Sequence, residues 1–396
     1  MKSSYYVELD EAYSAHNYHP LDVVIERAQG VWVYDVDGKR YLDCLSAYSA
    51  VNQGHCHPTI RQAMIDQLDK VTLTSRAFRN DQMGPFLKEL CELTDYDMAL
   101  PMNTGAEAVE TAIKVARKWG YKEKGVPHDQ AEIIVCQGNF HGRTTTVISF
   151  SSEAQYKEDF GPFTPGFVMI PYGNAPALEA AITPNTVAFL FEPIQGEGGV
   201  IIPPTGYLRA TYEICQRHNV LYMADEIQTG LGRTGALFAC DHENVRADVQ
   251  IIGKALSGGF YPVSAVLADS EVLGLFRPGD HGSTFGGNPL GAAVARAALR
   301  VIQEEDLVQR SHDMGEYMRG RLERLESEYI KEVRGRGLFI GMELHVPARR
   351  FCEALQKRGI LCKETHVNVI RFAPPLVIQK EEVDWAIGQI EAVLAH

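Results

Sequence analysis

The sequence predicts an α/β fold: a large domain with a mainly parallel sheet covered by helices, followed by a smaller C-terminal α+β domain. Three observations lead there. Apolar runs without polar alternation recur at 133–136, 187–191, 220–224 and 249–252, and such runs mark strands buried on both faces. Helix-like segments alternate with them, as in 207–218, where Leu208, Thr211, Ile214, Cys215 and His218 share a face. Alternating strands and helices favour a parallel sheet. Finally, the last hundred residues are mostly amphipathic helix, with two separate strand-like runs, "GLFIGMEL" and "NVIRFA".

In chain order, the N-terminal segment 1–49 holds a hairpin, "GVWVYDVDGKRYLD", expected to turn at Asp37-Gly38 because that dipeptide suits a tight turn. The large domain is expected over 50–288 and the small one over 289–396. The small domain opens with helices through 289–328, where Met314, Met318, Leu322 and Leu325 form a stripe. A last helix, 380–395, puts Val383, Ala386, Ile387, Ile390 and Leu394 on one face.

Composition narrows the function. The chain has 396 residues, 45% of them hydrophobic, and a net charge of −13. That balance argues against nucleic acid and against an anionic membrane surface. No apolar stretch approaches the length needed to span a bilayer, and the polar N-terminus lacks a signal-peptide core. Eight cysteines without a CxxC or a regular framework read as reduced thiols of a cytoplasmic enzyme. No metal is expected: "GHCHP" (His55, Cys56, His57) and "HNYH" (His16, His19) lack a usual zinc spacing.

Several strand-like runs end in chemistry-bearing residues. They lead to Asn139, Phe140, His141 and Arg143, to Glu192, Gln195 and Glu197, to Asp225, Glu226 and Gln228, and to Lys254. In parallel sheets ligands bind beyond the carboxyl ends of the strands, so Asn139 through Arg143, Glu197, Asp225 and Lys254 should meet at one rim. Lys254 is the informative one. A lysine at an apolar strand end usually snorkels to water. A phosphate-binding P-loop fails because Ala255 follows the lysine and no glycine stands five before Gly253. A third reading is a lysine that condenses with a carbonyl compound; convergence at one rim is what the snorkelling reading does not predict.

An anion seat precedes these strands. "PMNTGAEAVE" turns helical near Thr104, with Asn103 or Thr104 able to cap and Gly105 allowing close approach. The first N–H groups of a helix and its dipole favour a phosphate. A second glycine-rich loop, "HGSTFGGNPLG", adds Ser283 and Thr284. A phosphate seat, an acid and a lysine are what pyridoxal 5′-phosphate (PLP) needs: an anchor, a partner for its ring nitrogen and an amine for its aldehyde. A dehydrogenase is disfavoured, since "GEGGV" does not supply GxGxxG after a strand.

The set "MNTGAEAVE", "FHGRT", "EPIQGEGG", "ADEIQTGLGRTG", "GKALSGG" and "HGSTFGGNPL" resembles the class III, fold-type I PLP-dependent aminotransferases over essentially the whole chain. The resemblance implies that Lys254 is the Schiff-base lysine and proton shuttle and that Asp225 pairs with the ring nitrogen. It implies that Gln228 reaches the ring hydroxyl, that Phe140 and Ile227 flank the ring, and that Gly105, Ala106, Ser283 and Thr284 serve the phosphate. Thr284 would come from the neighbouring subunit of a homodimer. Arg143 and Arg371 would bind carboxylates, as planar forks do well. The nearest branch moves the δ-amino group of ornithine to 2-oxoglutarate, giving glutamate 5-semialdehyde and glutamate. There Glu197 would mask Arg371 while Arg143, helped by Tyr18, holds ornithine's carboxylate, and Tyr48 shapes the pocket. The branch acting on acetylornithine or other ω-amino acids, an aminomutase of the same fold and a non-catalytic cofactor-binding scaffold are the alternatives. The sequence departs from some ornithine-acting members at His141, where they carry tryptophan. Arg233, Cys240 and Cys362 read as structural residues, and Glu192 as a hydrogen-bonding support outside the site.

Overall fold

In the computed structural model, which describes residues 2–395, the expected sheet has seven strands. Their order is Met98–Met102, Ser264–Ala268, Val249–Ile252, Leu221–Asp225, Thr186–Phe191, Glu132–Cys136 and Phe167–Ile170. Only Ser264–Ala268 runs antiparallel to its neighbours; the other pairs are parallel. The three central strands are buried at every residue. The physical reason is visible in the alternation. Ile133, Val135, Val187 and Leu190 join one core with the helix Gly105–Trp119. Ile134, Phe189, Phe191 and Tyr222 join another, on the opposite face, with Leu208, Ile214 and Cys215 of the helix Tyr207–Arg217. Both faces are covered, so neither can be polar. One expectation needs correcting: His218 does not share the buried face, because the helix ends at Arg217 and leaves His218 exposed as its C-cap.

The hairpin turns as expected. Strands Trp32–Asp35 and Arg40–Asp43 flank a turn in which Gly38 has φ +87°, and Asp35 Oδ1 accepts from the N–H groups of Asp37 and Lys39. This N-terminal sheet is completed from far along the chain by Ile360–Leu361, parallel to Arg40–Asp43. A second four-stranded sheet, entirely antiparallel, runs Ile330–Arg336, Phe339–Leu344, Val369–Phe372, Lys363–Thr365. Arg371 lies in its third strand, opposite Gly341. The last helix, Lys380–Leu394, buries the five residues its spacing predicts. No helix among the described residues is long and apolar enough to cross a membrane.

The helix Leu307–Leu322 packs directly on the turn before Phe339. A Cβ on Gly315 would lie 2.1 Å from the carbonyl carbon of Gly337, a backbone atom that cannot give way. Gly315→Ala is expected to destabilise the protein by about 1–3 kcal/mol through overpacking. Gly320, on the same helix, has nothing within 4 Å of its added Cβ, so Gly320→Ala should stabilise by up to about 1 kcal/mol. Urea midpoints of the two variants should move in opposite directions with unchanged m-values.

Candidate functional site

The carboxyl ends of the central strands open onto one cleft of about 580 Å³. Its walls include Gly105, Ala106, Phe140, Ile227, Gln228, Asp225 and Lys254. Seven of the residues expected to hold a cofactor are therefore brought together.

Asp225 ends the strand Leu221–Asp225 and is 5% exposed. A buried carboxylate must be hydrogen-bonded, and it is: Oδ1 accepts from Ile227 N–H at 3.1 Å, and Oδ2 lies 2.7 Å from His141 Nδ1. His141 is itself fully buried. Burial opposes its charge, but the Asp225 hydrogen bond and the charges of Asp225 and Glu192 outweigh this and hold its pKa above the ordinary histidine value. Its other ring nitrogen, Nε2, has no partner among the described residues, so the imidazole serves Asp225 alone.

Lys254 follows the strand Val249–Ile252 and has φ +43°, a left-handed conformation that costs a non-glycine residue about 1 kcal/mol or more. Burial pushes its pKa below the usual lysine range and the Arg371 charge adds to this, while Glu197, Asp225 and Glu192 oppose it. The amine is thereby biased toward its neutral, nucleophilic form.

The helix Gly105–Trp119 begins with a capping box: Thr104 Oγ1 accepts from Glu107 N–H and Glu107 Oε2 from Thr104 N–H. The Gly105 and Ala106 N–H groups have no acceptor among the described residues and border the cleft. Gly105 also lies close to Ile227; a Cβ there would be 3.0 Å from Ile227 Cδ1.

Arg371 is 1% exposed. Its Nη1 donates to Glu197 Oε1 at 2.7 Å, and Gln228 Nε2 donates to the same oxygen at 3.3 Å. Against the upward push of burial, the Arg371 charge and hydrogen bond hold the Glu197 carboxyl below its usual range. The Arg371 guanidinium also lies over the Tyr48 ring, 4.8 Å from its centroid. Tyr48 sits in an unusual turn: Ser46, Ala47, Tyr48 and Ser49 all have positive φ. Asp43 Oδ1 accepts from the Leu45 and Ser46 N–H groups, and Ser46 Oγ donates to Ala373 O at 2.6 Å. The turn is thus anchored to the segment that follows Arg371.

The remaining expected residues stand apart from the cleft. Arg143 is exposed, with its guanidinium 4.0 Å from the Tyr156 ring centroid and 5.8 Å from that of Phe140. Tyr18 is 74% exposed and does not line the cleft. Ser283 Oγ accepts from Asn103 Nδ2 at 2.9 Å, beside the helix cap. Thr284 is exposed and does not line the cleft of its own chain. His55 and His57 engage Asp43 and Glu305 instead of sharing a ligand, and no group of three potential metal ligands occurs among the described residues.

Five cleft residues lay outside the expected site set: His141, Gly142, Glu192, Ile194 and Thr229. His141 was read as one of the rim residues and as a departure from the resemblance, and Glu192 only as a support. Glu192 in fact lines the cleft, accepts from Phe140 N–H at 2.9 Å, and has its pKa pushed up to about 7 by burial, with the Asp225 charge adding and His141 opposing. The polar residues just beyond their strands were the only signal for either.

The fit to PLP is tested by these groups directly. A neutral-biased amine, a carboxylate backed by a buried imidazole and two free helix N–H groups are present in one cleft, in the roles an aldehyde, a ring nitrogen and a phosphate require. The residues fit the cofactor.

The raised pKa of Glu192 has a consequence for stability. A carboxyl whose folded pKa lies above its unfolded value stabilises the fold at low pH, and that contribution is lost as pH rises from about 4.5 through 7. Glu192→Gln should remove this slope: the variant's urea midpoint, relative to wild type, should be higher at pH 8 than at pH 5.

Comparison with known proteins agrees with the geometry. The family description "Aminotransferase class-III" matches residues 13–394. A Bacillus subtilis protein named ornithine aminotransferase is 60% identical, over all of this chain and 98% of that one. Its counterpart in Halalkalibacterium halodurans is 62% identical over 98% of each. The crystal structure of the Toxoplasma gondii ornithine aminotransferase, described with PLP at its active site, covers all of this chain and 94% of its own, at TM-score 0.98 and 45% identity. An acetylornithine aminotransferase from Elizabethkingia anophelis covers 100% and 99%, at TM-score 0.92 and 48% identity. This chain, with its sheet-end lysine, acid and phosphate seat in one cleft, belongs to the class-III aminotransferases, which are PLP-dependent.

Proposed function

We propose that the protein transfers the δ-amino group of L-ornithine to 2-oxoglutarate, giving L-glutamate 5-semialdehyde and L-glutamate. The observation that carries this reading is the unequal state of two guanidiniums. Arg371 is neutralised by Glu197 at 2.7 Å, whereas Arg143 has no carboxylate partner among the described residues. An amino acid entering this site finds one free fork, at Arg143. Holding its carboxylate there directs the far amine, not the α-amine, toward Lys254. A dicarboxylate such as 2-oxoglutarate needs both forks, so its second carboxylate must replace Glu197 at Arg371.

When bound, PLP supplies an aldehyde for the amine and a ring that takes up an electron pair. The chain's own groups do the rest. Asp225 holds negative charge for the ring nitrogen, and His141 Nδ1 keeps that carboxylate oriented. Lys254 Nζ, biased toward its neutral form, takes up the proton lost from the amine-bearing carbon and returns it. Phe140 and Ile227 exclude water from the ring, Gln228 serves its hydroxyl, and Gly105 and Ala106 offer N–H groups to the phosphate. Tyr48 shapes the pocket over Arg371, and Tyr18 assists Arg143.

The proposal includes a homodimer, in which the exposed Thr284, beside Ser283, completes the partner's phosphate site. It includes the three-part division at 1–49, 50–288 and 289–396. It also places the protein in the cytoplasm, where eight cysteines free of disulfides are expected to stay reduced.

Assay with 2-oxoglutarate as acceptor tests the reading, with ornithine expected to outpace N-acetylornithine. The reverse order would favour the acetylornithine reading that the Elizabethkingia similarity supports. Lys254→Ala should abolish turnover, a loss of more than about 10³-fold, while urea unfolding stays cooperative with an unchanged m-value. Glu197→Ala should free Arg371 at all times. Single-turnover absorbance measurements should then show a faster reaction with glutamate and a slower one with ornithine; an unchanged ratio would mean that Glu197 is only structural.

A further inference from the structure

Arg143 is held by an aromatic ring, with no acid beside it. Its Cζ lies 4.0 Å from the centroid of Tyr156. Tyr156 in turn meets Phe140 edge-to-face, with centroids 6.1 Å apart at 76°, and Arg143 lies 5.8 Å from the Phe140 ring. The three side chains close a triangle, and one corner of it, Phe140, lines the cleft. The segment carrying Tyr156 is pinned back onto the segment carrying the other two. Gly138 N–H donates to Ser152 Oγ at 2.8 Å, Lys157 Nζ donates to Ser149 O at 3.1 Å, and Thr164 N–H donates to Ser149 Oγ at 2.8 Å.

This arrangement has a chemical purpose that an ion pair would defeat. All five guanidinium donors lie in the plane of the group. A ring beneath the guanidinium carbon gives those donors no charged partner and leaves them for a carboxylate, while a side-chain acid would occupy them, as Glu197 does at Arg371. We infer that Tyr156 is a positioning residue that presents Arg143 at a set reach from the cofactor wall, and that it thereby selects amines carrying a distal carboxylate. The inference rests on the proposed role of Arg143 in carboxylate binding. The Tyr156 hydroxyl makes no hydrogen bond to a described residue, so the ring face is what acts.

Ornithine and putrescine separate this effect from general damage, because they share the reacting amine and differ in the carboxylate. Tyr156→Leu in the holoenzyme is expected to raise KM for ornithine about tenfold, about 1.4 kcal/mol, with kcat within twofold, and to leave kcat/KM for putrescine within twofold. Tyr156→Phe should keep the ornithine KM within threefold of wild type. A calorimetric Kd for glutarate, a dicarboxylate that carries no amine, should weaken by a similar factor in Tyr156→Leu and not in Tyr156→Phe. Equal losses on ornithine and putrescine, or an unchanged ornithine KM and glutarate Kd in Tyr156→Leu, would overturn the inference. If wild type does not transaminate ornithine, the proposed substrate is wrong; the glutarate Kd then decides the inference alone, weakening supporting it and no change overturning it.

Discussion

The site depends on one buried ion pair. A guanidinium that is 1% exposed is tolerable only with a partner charge or a set of hydrogen bonds at hand, and Arg371 has Glu197 at 2.7 Å. The pair joins the antiparallel sheet to the rim of the parallel one. It is reinforced from behind, since Thr365 Oγ1 donates to Glu197 O at 2.7 Å and Arg334 donates to the carbonyls of Gly199 and Val200. The backbone of the Glu197 loop is therefore held by three hydrogen bonds from two residues of that sheet. A competing carboxylate at Arg371 has only the Glu197 side chain to displace.

A second buried cation shows the other solution to the same constraint. Arg233 is fully buried with no carboxylate in contact. Its Nη1 donates to the carbonyls of Leu338 and Pro374, at 2.9 and 2.6 Å, and its Nη2 to Asn52. Burial pulls its pKa down to about 9, with the Arg371 charge adding and Asp43 opposing. Carbonyl dipoles suffice to seat this arginine, and its bonds tie the loop after Asp225 to the segments flanking the Arg371 strand. Positioning and chemistry thus use the same residue type in different surroundings: Arg233 bonded to backbone, Arg371 masked by an acid, and Arg143 laid on a ring.

Local conformational cost is carried at this rim as well as in outlying turns. Lys254 and the run from Ser46 to Ser49 all have positive φ, and such residues persist only where their surroundings over-determine them. For Ser46 the determinants are Asp43 and Ala373; for Lys254 they are the strand that precedes it and the short helical turn that follows. The strained positions carry Tyr48, whose ring lies under the Arg371 guanidinium, and Lys254, which lines the cleft.

Much of this was legible in the sequence because it depends on short-range pattern. Continuous apolar strands require cover on both faces, and the alternation of Ile133, Ile134 and Val135 between two cores bears this out. Polar residues just past such strands must gather at one rim, which located Asp225 and Lys254. Helix ends were less legible: the apolar face of 207–218 included His218, but the helix stops one residue earlier. What only the tertiary structure decided were pairings between distant segments. The return of Ile360–Leu361 to the N-terminal hairpin has no local signature. Nor does the choice of Glu192 and His141 as neighbours of Asp225, or the stacking of Arg143 on Tyr156, because each depends on how separate loops meet in space. The sequence by itself determined which residues stand at the strand ends; the packing of those loops decided which are buried, which are charged and which remain free to bind.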